Sequence, residues 1–132
     1  MPELPSVEVF KQYFDSNSLN QIIKSVNLKS KEILMEKPIR FQEILVGSQF
    51  TSSQRYGKYL FANLDNEYIL VMHFGMTGSL EYGLNPLKNP YDRFSINFQN
   101  NKVLAFIDPR KFGKIGITDS MKNFIKKKEI RT

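Results

Sequence analysis

Proline at position 2, followed at once by glutamate, is the most chemically loaded pair in these 132 residues, which open MPELPSVEVF. Initiator methionine is removed when the next residue is small, so the mature chain is expected to begin with Pro2. Its secondary amine is then an α-amino group titrating near pH ~8, well below the ~10.4 of lysine. A neutral secondary amine attacks a carbonyl-like carbon to give an iminium ion, and Glu3 stands one residue away to move the proton. Taken alone, the pair favours a plainer reading, a proline that only blocks degradation beside a solvated glutamate. Further along, RYGKYL sets Lys58 after a glycine at a strand start. HFGMTGSL puts His73, the sole histidine, and Met76 in a turn with two glycines, and DPRKFGK puts Arg110 and Phe112 in a loop after a strand. Lys58 alone reads as a surface lysine and His73 as a core-edge histidine. Met76 and Phe112 read as core residues, except that both sit in turns, where an apolar side chain need not be buried.

The elements that must position these residues follow from spacing. Residues 5–14 read as a helix, with Pro5 suited to the first turn and Val7, Phe10 and Phe14 on one face; DSNS at 15–18 ends it. QIIKSVNLKS (21–30) reads as a strand. PIRFQEIL (38–45) reads as a second helix, with Pro38 early and Gly47 just past its end. Beyond Gly47 the runs SQFTSSQRY, KYLFANL, EYILVMHF, GSLEYG, RFSINFQ and KVLAFI are short strands divided by turn chemistry. LDNEY and FQNNKV are expected hairpin turns, since Asn and Asp tolerate positive φ. RFSINFQ alternates Phe94, Ile96 and Phe98 with polar residues, so one of its faces is buried. GLNPLKNP (83–90) is a loop, and the tail from Asp119 carries Met121, Phe124 and Ile125 among lysines, the pattern of a short amphipathic helix. The expected fold class is α+β, mainly antiparallel: a two-layer β-sandwich or barrel with two or three short helices gathered at one end, the N-terminal helix carrying the active-site end.

Composition narrows the function classes. The chain suits one compact domain, with 41% hydrophobic and 13% aromatic residues for its core. It has no cysteine, which excludes disulfides, thiolate metal sites and cysteine nucleophiles and fits a reducing compartment. No apolar run reaches the length of a membrane span and the start lacks signal-peptide character, so the expected location is cytoplasmic, with no membrane partner. Net charge is +6 and uneven: residues 1–66 hold eight Lys/Arg against seven Asp/Glu, residues 67–132 eleven against six. Basic excess gathered in one stretch is what phosphate backbones attract.

MPELP, GKYL, HFGMTGSL and DPRKFGK occur here in the order and spacing found in the N-terminal domain of formamidopyrimidine-DNA glycosylase, and the chain resembles that bacterial repair family from residue 1 to about 118. The related endonuclease VIII branch, which opens with PEGPE, fits less well. The resemblance implies that Pro2 attacks C1′ of a damaged nucleotide, displacing the base and leaving a Schiff base, that Glu3 handles the sugar-ring proton, and that β-elimination follows. Lys58 would neutralise a phosphate beside the lesion and assist the elimination. The target must be flipped out of the duplex. Met76, Arg110 and Phe112 resemble the three residues that fill the void, Phe112 as a wedge and Arg110 on the orphaned base. His73 would lie near phosphates. The implied partner is double-stranded DNA containing an oxidised purine or an abasic site, bound by a monomer.

Three departures accompany the resemblance. Ser6 stands where the family has glutamate, which weakens lesion handling or product release. YDR (Tyr91, Asp92, Arg93) stands where the family has His-Asp-His; Tyr91 replaces a DNA-contacting histidine and Arg93 compensates its charge. Family members also run to about twice this length, adding a helix–two-turn–helix region and a zinc finger. With no cysteine, no cofactor is expected in this chain, and zinc only in a C-terminal domain it lacks. Residues 1–118 are thus read as the catalytic domain and 119–132 as a basic linker or tail, the whole as an isolated domain or a short paralogue. Two other readings stand beside the glycosylase: a non-catalytic damaged-DNA-binding module, motivated by Ser6, and a β-sandwich that binds protein.

Overall fold

A computed structural model of the chain describes residues 4–128, with side chains from Val7 onward. Helix α1 (Leu4–Asn17) leads into β1 (Ile23–Leu28), a 3-10 turn (Lys31–Ile33) and α2 (Pro38–Leu45). Seven more strands follow: β2 (Phe50–Tyr56), β3 (Tyr59–Leu64), β4 (Ile69–His73), β5 (Ser79–Leu84), β6 (Asp92–Phe98), β7 (Lys102–Ile107) and β8 (Lys114–Thr118), before α3 (Met121–Lys128). They form two four-stranded antiparallel sheets, ordered β1-β6-β7-β5 and β2-β3-β4-β8. The α+β two-layer sandwich with three short helices is therefore as expected. The strand β8 is an addition: KIGIT carries only two apolar side chains around Gly116, too weak a signal beside the lysines that flank it.

The core lies between the sheets. Leu60, Ala62, Leu70, Met72, Ile115 and Ile117 from one face meet Phe94, Ile96, Phe98, Leu104 and Phe106 from the other. From α1, Val7 and Phe14 are fully buried and Phe10 packs against the same core, so the i, i+3, i+7 face is the buried one. α1 spans both layers, packing on β2 and β3 of one sheet and β5 of the other. Its Tyr13 hydroxyl accepts the β5 amide of Tyr82 at 2.8 Å, satisfying an edge-strand donor that would otherwise face solvent.

The helices are not all gathered at one end. α3 lies on the outer face of β2-β3-β4-β8, where Phe124 meets Tyr59 and Phe61 edge-on at 5.5 and 5.7 Å in a second cluster with Ile69 and Val71. Both faces of β3 and β4 are thus covered, which is why KYLFANL and EYILVMHF read as continuous apolar runs rather than alternating ones. At the β3–β4 turn the positive φ falls on Glu67 (71°), not on Asp65 or Asn66 as LDNEY suggested; in FQNNKV it falls on Asn101 (67°). Asn66 instead accepts the Tyr68 amide through its side chain and braces α2 by donating to Ile44 O at 2.8 Å. Among the described residues no helix is long and apolar enough to cross a membrane.

Candidate functional site

Pro2 and Glu3 lie outside the described residues, and so does the side chain of Ser6; the helix they lead into is described from Leu4. Its N-terminal half is anchored to one hairpin. Arg55 on β2 donates from Nε to Glu8 at 3.2 Å and from Nη1 to Gly57 O at 3.1 Å. Helical rise is about 1.5 Å per residue, so Leu4 stands roughly 6 Å along the axis beyond Glu8. The chain therefore enters α1 close to the tip of the β2–β3 hairpin. That tip is Gly57-Lys58, a two-residue loop with Gly57 at φ 62°, the geometry that glycine supplies in tight hairpins. Lys58 is exposed at its apex.

His73, the last residue of β4, pairs with Tyr59 across the ladder and packs edge-on against its ring at 4.7 Å. Its Nδ1 accepts the Gly75 amide at 3.0 Å. An Nδ1 that accepts is unprotonated, so the imidazole is neutral and carries its hydrogen on Nε2. Burial, and then the neighbouring Lys58 cation, hold its pKa below the ordinary 6.5. Burial also raises the Tyr59 phenol above its ordinary value.

Beyond His73 the chain folds into a tight turn closed by Gly78 N–H donating to Phe74 O at 2.8 Å. Phe74 is fully buried, stacked on Phe10 of α1 at 4.6 Å and tilted against Phe106 at 5.3 Å. The apolar ring is thus on the inside and Met76, half exposed, on the outside. Gly75 adopts φ 59°, and a Cβ there would stand 2.8 Å from the carbonyl carbon of Phe112. The Met76 turn and the Phe112 turn are in backbone contact.

Asp108 makes the second connection. Fully buried at the end of β7, its carboxylate accepts the Thr77 hydroxyl at 2.5 Å, the Lys111 amide at 3.1 Å and the Gly113 amide at 2.8 Å. This fixes the turn Asp108–Lys111, with Lys111 at φ 57°, and pushes Arg110 and Phe112 outward. Phe112 is 47% exposed, and the Arg110 guanidinium stacks on its ring at 4.7 Å. Tyr91 is exposed nearby: its carbonyl accepts the Asp108 amide at 3.0 Å. Arg93 turns inward, donating from Nε to Asp108 O at 2.9 Å and from Nη2 to Pro109 O at 3.1 Å, with its guanidinium 5.7 Å from the Tyr91 ring centre.

Lys58, His73, Met76, Tyr91, Arg93, Arg110 and Phe112 are therefore linked through one continuous set of contacts. Four residues that make those contacts carried no role in the sequence reading: Asp108, Thr77, Arg55 and Glu8. Asp108 and Thr77 lie inside DPRKFGK and HFGMTGSL, so the motifs contained the signal. Arg55 and Glu8 had none. Among the described residues no three His, Cys, Asp or Glu side chains are grouped to hold a metal ion; what they present here is the exposed cations of Lys58 and Arg110 beside the exposed side chains of Met76 and Phe112.

The chain matches the family model of the formamidopyrimidine-DNA glycosylase N-terminal domain over residues 1–115. It is 34% identical over 115 residues to a formamidopyrimidine-DNA glycosylase of Legionella pneumophila strain Paris, covering 86% of this chain and 41% of that protein. With the Pelobacter propionicus enzyme of the same name it shares 34% over 123 residues, 92% of this chain and 46% of the relative. The chain thus spans less than half the length of these curated relatives. Among solved structures, it superposes on Lactococcus lactis formamidopyrimidine-DNA glycosylase non-covalently bound to DNA containing an AP site, with TM-score 0.90 and 23% identity over 98% of this chain and 50% of that one. The same enzyme with DNA containing N7-benzyl-Fapy-dG gives TM-score 0.91 and 24% identity over 98% and 49%; these likenesses carry the fold. By the match over residues 1–115, the chain belongs to the formamidopyrimidine-DNA glycosylase family through its N-terminal domain.

Proposed function

We propose that this chain is the catalytic half of a base-excision repair glycosylase with AP-lyase activity, acting on double-stranded DNA that contains an oxidised purine or an abasic site. The observation that carries the reading is convergence. The entrance of α1, the Lys58 hairpin, the His73–Gly78 turn and the Arg110/Phe112 turn meet through the contacts of Glu8, Arg55, Asp108 and Gly75. At that end of the sandwich the Lys58 cation and the exposed side chains of Met76 and Phe112 are presented, and the reading assigns the attacking amine to mature Pro2.

In this reading the Pro2 nitrogen forms a bond to C1′ as the C1′–base bond breaks, and the base leaves with a proton. The ring oxygen takes a proton through Glu3, the sugar opens and an iminium results. The iminium acidifies C2′–H; loss of that proton expels the 3′ phosphate, and water later releases the enzyme amine. Lys58 balances phosphate charge throughout. Neutral His73 offers Nε2–H to a phosphate oxygen without a titration step. Phe112 and Met76 fill the gap left by the extruded nucleotide, and Arg110 slides from the Phe112 ring to the unpaired base. Unstacking costs a few kcal/mol, and the wedge offsets part of it.

Borohydride trapping tests this. With Met1 removed, incubation with abasic-site duplex and borohydride is expected to give a covalent protein–DNA adduct, even at low affinity, because reduction is irreversible. A form extended by one residue before Pro2 serves as the blocked control. No adduct from the exposed proline overturns the catalytic reading. Salt-dependent DNA retention without any adduct would favour the damage-binding module that Ser6, in place of the family glutamate, motivates.

A further inference from the structure

We propose that Arg93 is a positioning residue for the turn that presents Arg110 and Phe112, rather than a contact to DNA phosphate; this rests on the reading above. The sheet register shows how the side chain is aimed. Asp92 pairs with Ile107 and Phe94 with Phe106, so β6 carries one extra residue against β7, and that residue is Arg93. A bulge re-aims the side chain it carries, here past the end of β7. The guanidinium spends two N–H groups on successive backbone carbonyls, Asp108 at 2.9 Å and Pro109 at 3.1 Å. The Arg93 carbonyl receives the amides of Lys29 and Ser30 at 3.1 and 3.2 Å. Next to it, Lys29 Nζ pairs with buried Asp92 at 2.8 Å.

The turn is thus held from two sides. Asp108 accepts from inside the turn and Arg93 donates to its outer carbonyls, while the Arg93 guanidinium flanks the exposed Tyr91 ring. Only a planar fork can serve two adjacent carbonyls in this way. A lysine has a point charge and would satisfy at most one of them in the same geometry. A charge-only role at phosphate, by contrast, is one that lysine fills well.

The test compares Arg93→Lys and Arg93→Gln in the full chain by two measurements. Amide hydrogen exchange, without DNA, is expected to be about tenfold faster at Asp108, Lys111 and Gly113 in both variants, as one or two hydrogen bonds are lost, with Leu60 and Met72 unchanged. Binding to a duplex carrying a tetrahydrofuran abasic analogue is expected to weaken about tenfold in both, with the slope of log affinity against log salt unchanged. Wild-type exchange in Arg93→Lys overturns the proposal. So does wild-type affinity in Arg93→Lys together with a salt slope about 0.9 smaller in Arg93→Gln, the mark of one lost phosphate contact. If the unaltered chain neither retains such DNA nor gives the borohydride adduct, the glycosylase reading fails, and the exchange rates alone decide for or against Arg93.

Discussion

Replacing Asp108 isolates the connection on which the candidate site depends. Its two carboxylate oxygens have unequal duties: Oδ2 takes only the Gly113 amide, while Oδ1 takes the Lys111 amide and the Thr77 hydroxyl. Gly113 is buried, whereas Thr77 and Lys111 are partly open to solvent. Asp108→Ala strands the Gly113 donor, at about 1–3 kcal/mol for a buried unsatisfied group, and removes two further bonds to a charged acceptor worth about 1.5 kcal/mol or more each before water replaces them. The expected loss is about 3–5 kcal/mol. Asp108→Asn keeps the shape. Its amide will turn its oxygen to Gly113 and its NH2 toward Thr77, whose hydroxyl rotates to accept, leaving only the half-exposed Lys111 donor opposed; the expected loss is about 1–2 kcal/mol. Equilibrium urea unfolding followed by far-UV circular dichroism reads both. Asparagine as damaging as alanine, or alanine within about 0.5 kcal/mol of the parent, a change typical of surface substitutions, would refute the claim that these three bonds lock the turns together.

Gly75→Ala should destabilise by about 2 kcal/mol or more, since φ 59° is strained for alanine and its Cβ would sit 2.8–3.0 Å from the Phe112–Gly113 backbone; urea unfolding checks it. Phe112→Ala should change stability by less than about 1 kcal/mol, because the ring is half exposed, yet sharply reduce borohydride-trapped adduct; a large stability loss would mean the ring is a core residue. Between about pH 7 and 5 the folded chain should lose stability as pH falls. Unfolded His73 takes its proton near 6.5, whereas burial and Lys58 make the folded imidazole resist it, so the unfolded state binds more protons and is favoured. His73→Asn, which keeps an acceptor for Gly75, should flatten that part of the profile.

Much of the fold was legible because its signals are local. Pro38 and Gly47 bracket α2 where the sequence placed it, and the alternation of Phe94, Ile96 and Phe98 gave the buried face of β6. What escaped was set by tertiary context. Gly116 looks like a break in a strand. Its missing side chain leaves room for Met35, whose sulfur stands 2.9 Å from where a Cβ would be, and β8 forms because β4 supplies its hydrogen bonds. The placement of α3 was hidden for a related reason. Its apolar stripe announces a buried face, but only the second, outward-facing set of apolar residues on β3 and β4 tells which surface receives it.

The site was legible as residue types and opaque as mechanics. A buried aspartate and a solvated one are the same letter, and Asp108 is buried only because two turns close over it. Both turns cross between the layers in opposite directions: His73–Gly78 runs from β4 to β5 and Asp108–Gly113 from β7 back to β8. The Thr77–Asp108 bond continues the β5–β7 ladder and the Gly75–Phe112 contact the β4–β8 ladder, and Phe106 sits beneath both crossings, its ring 3.1 Å from a Cβ built on Gly78 and 2.8 Å from one on Gly113. The glycines of both motifs are thus explained by close approach to a core ring as much as by turn geometry. It follows that the spacing between Met76 and Phe112 is governed by how the two sheets pack. Close-packed interiors transmit changes of even one methylene, so the exposed wedge residues take their positions from a buried phenylalanine that touches no part of the proposed substrate.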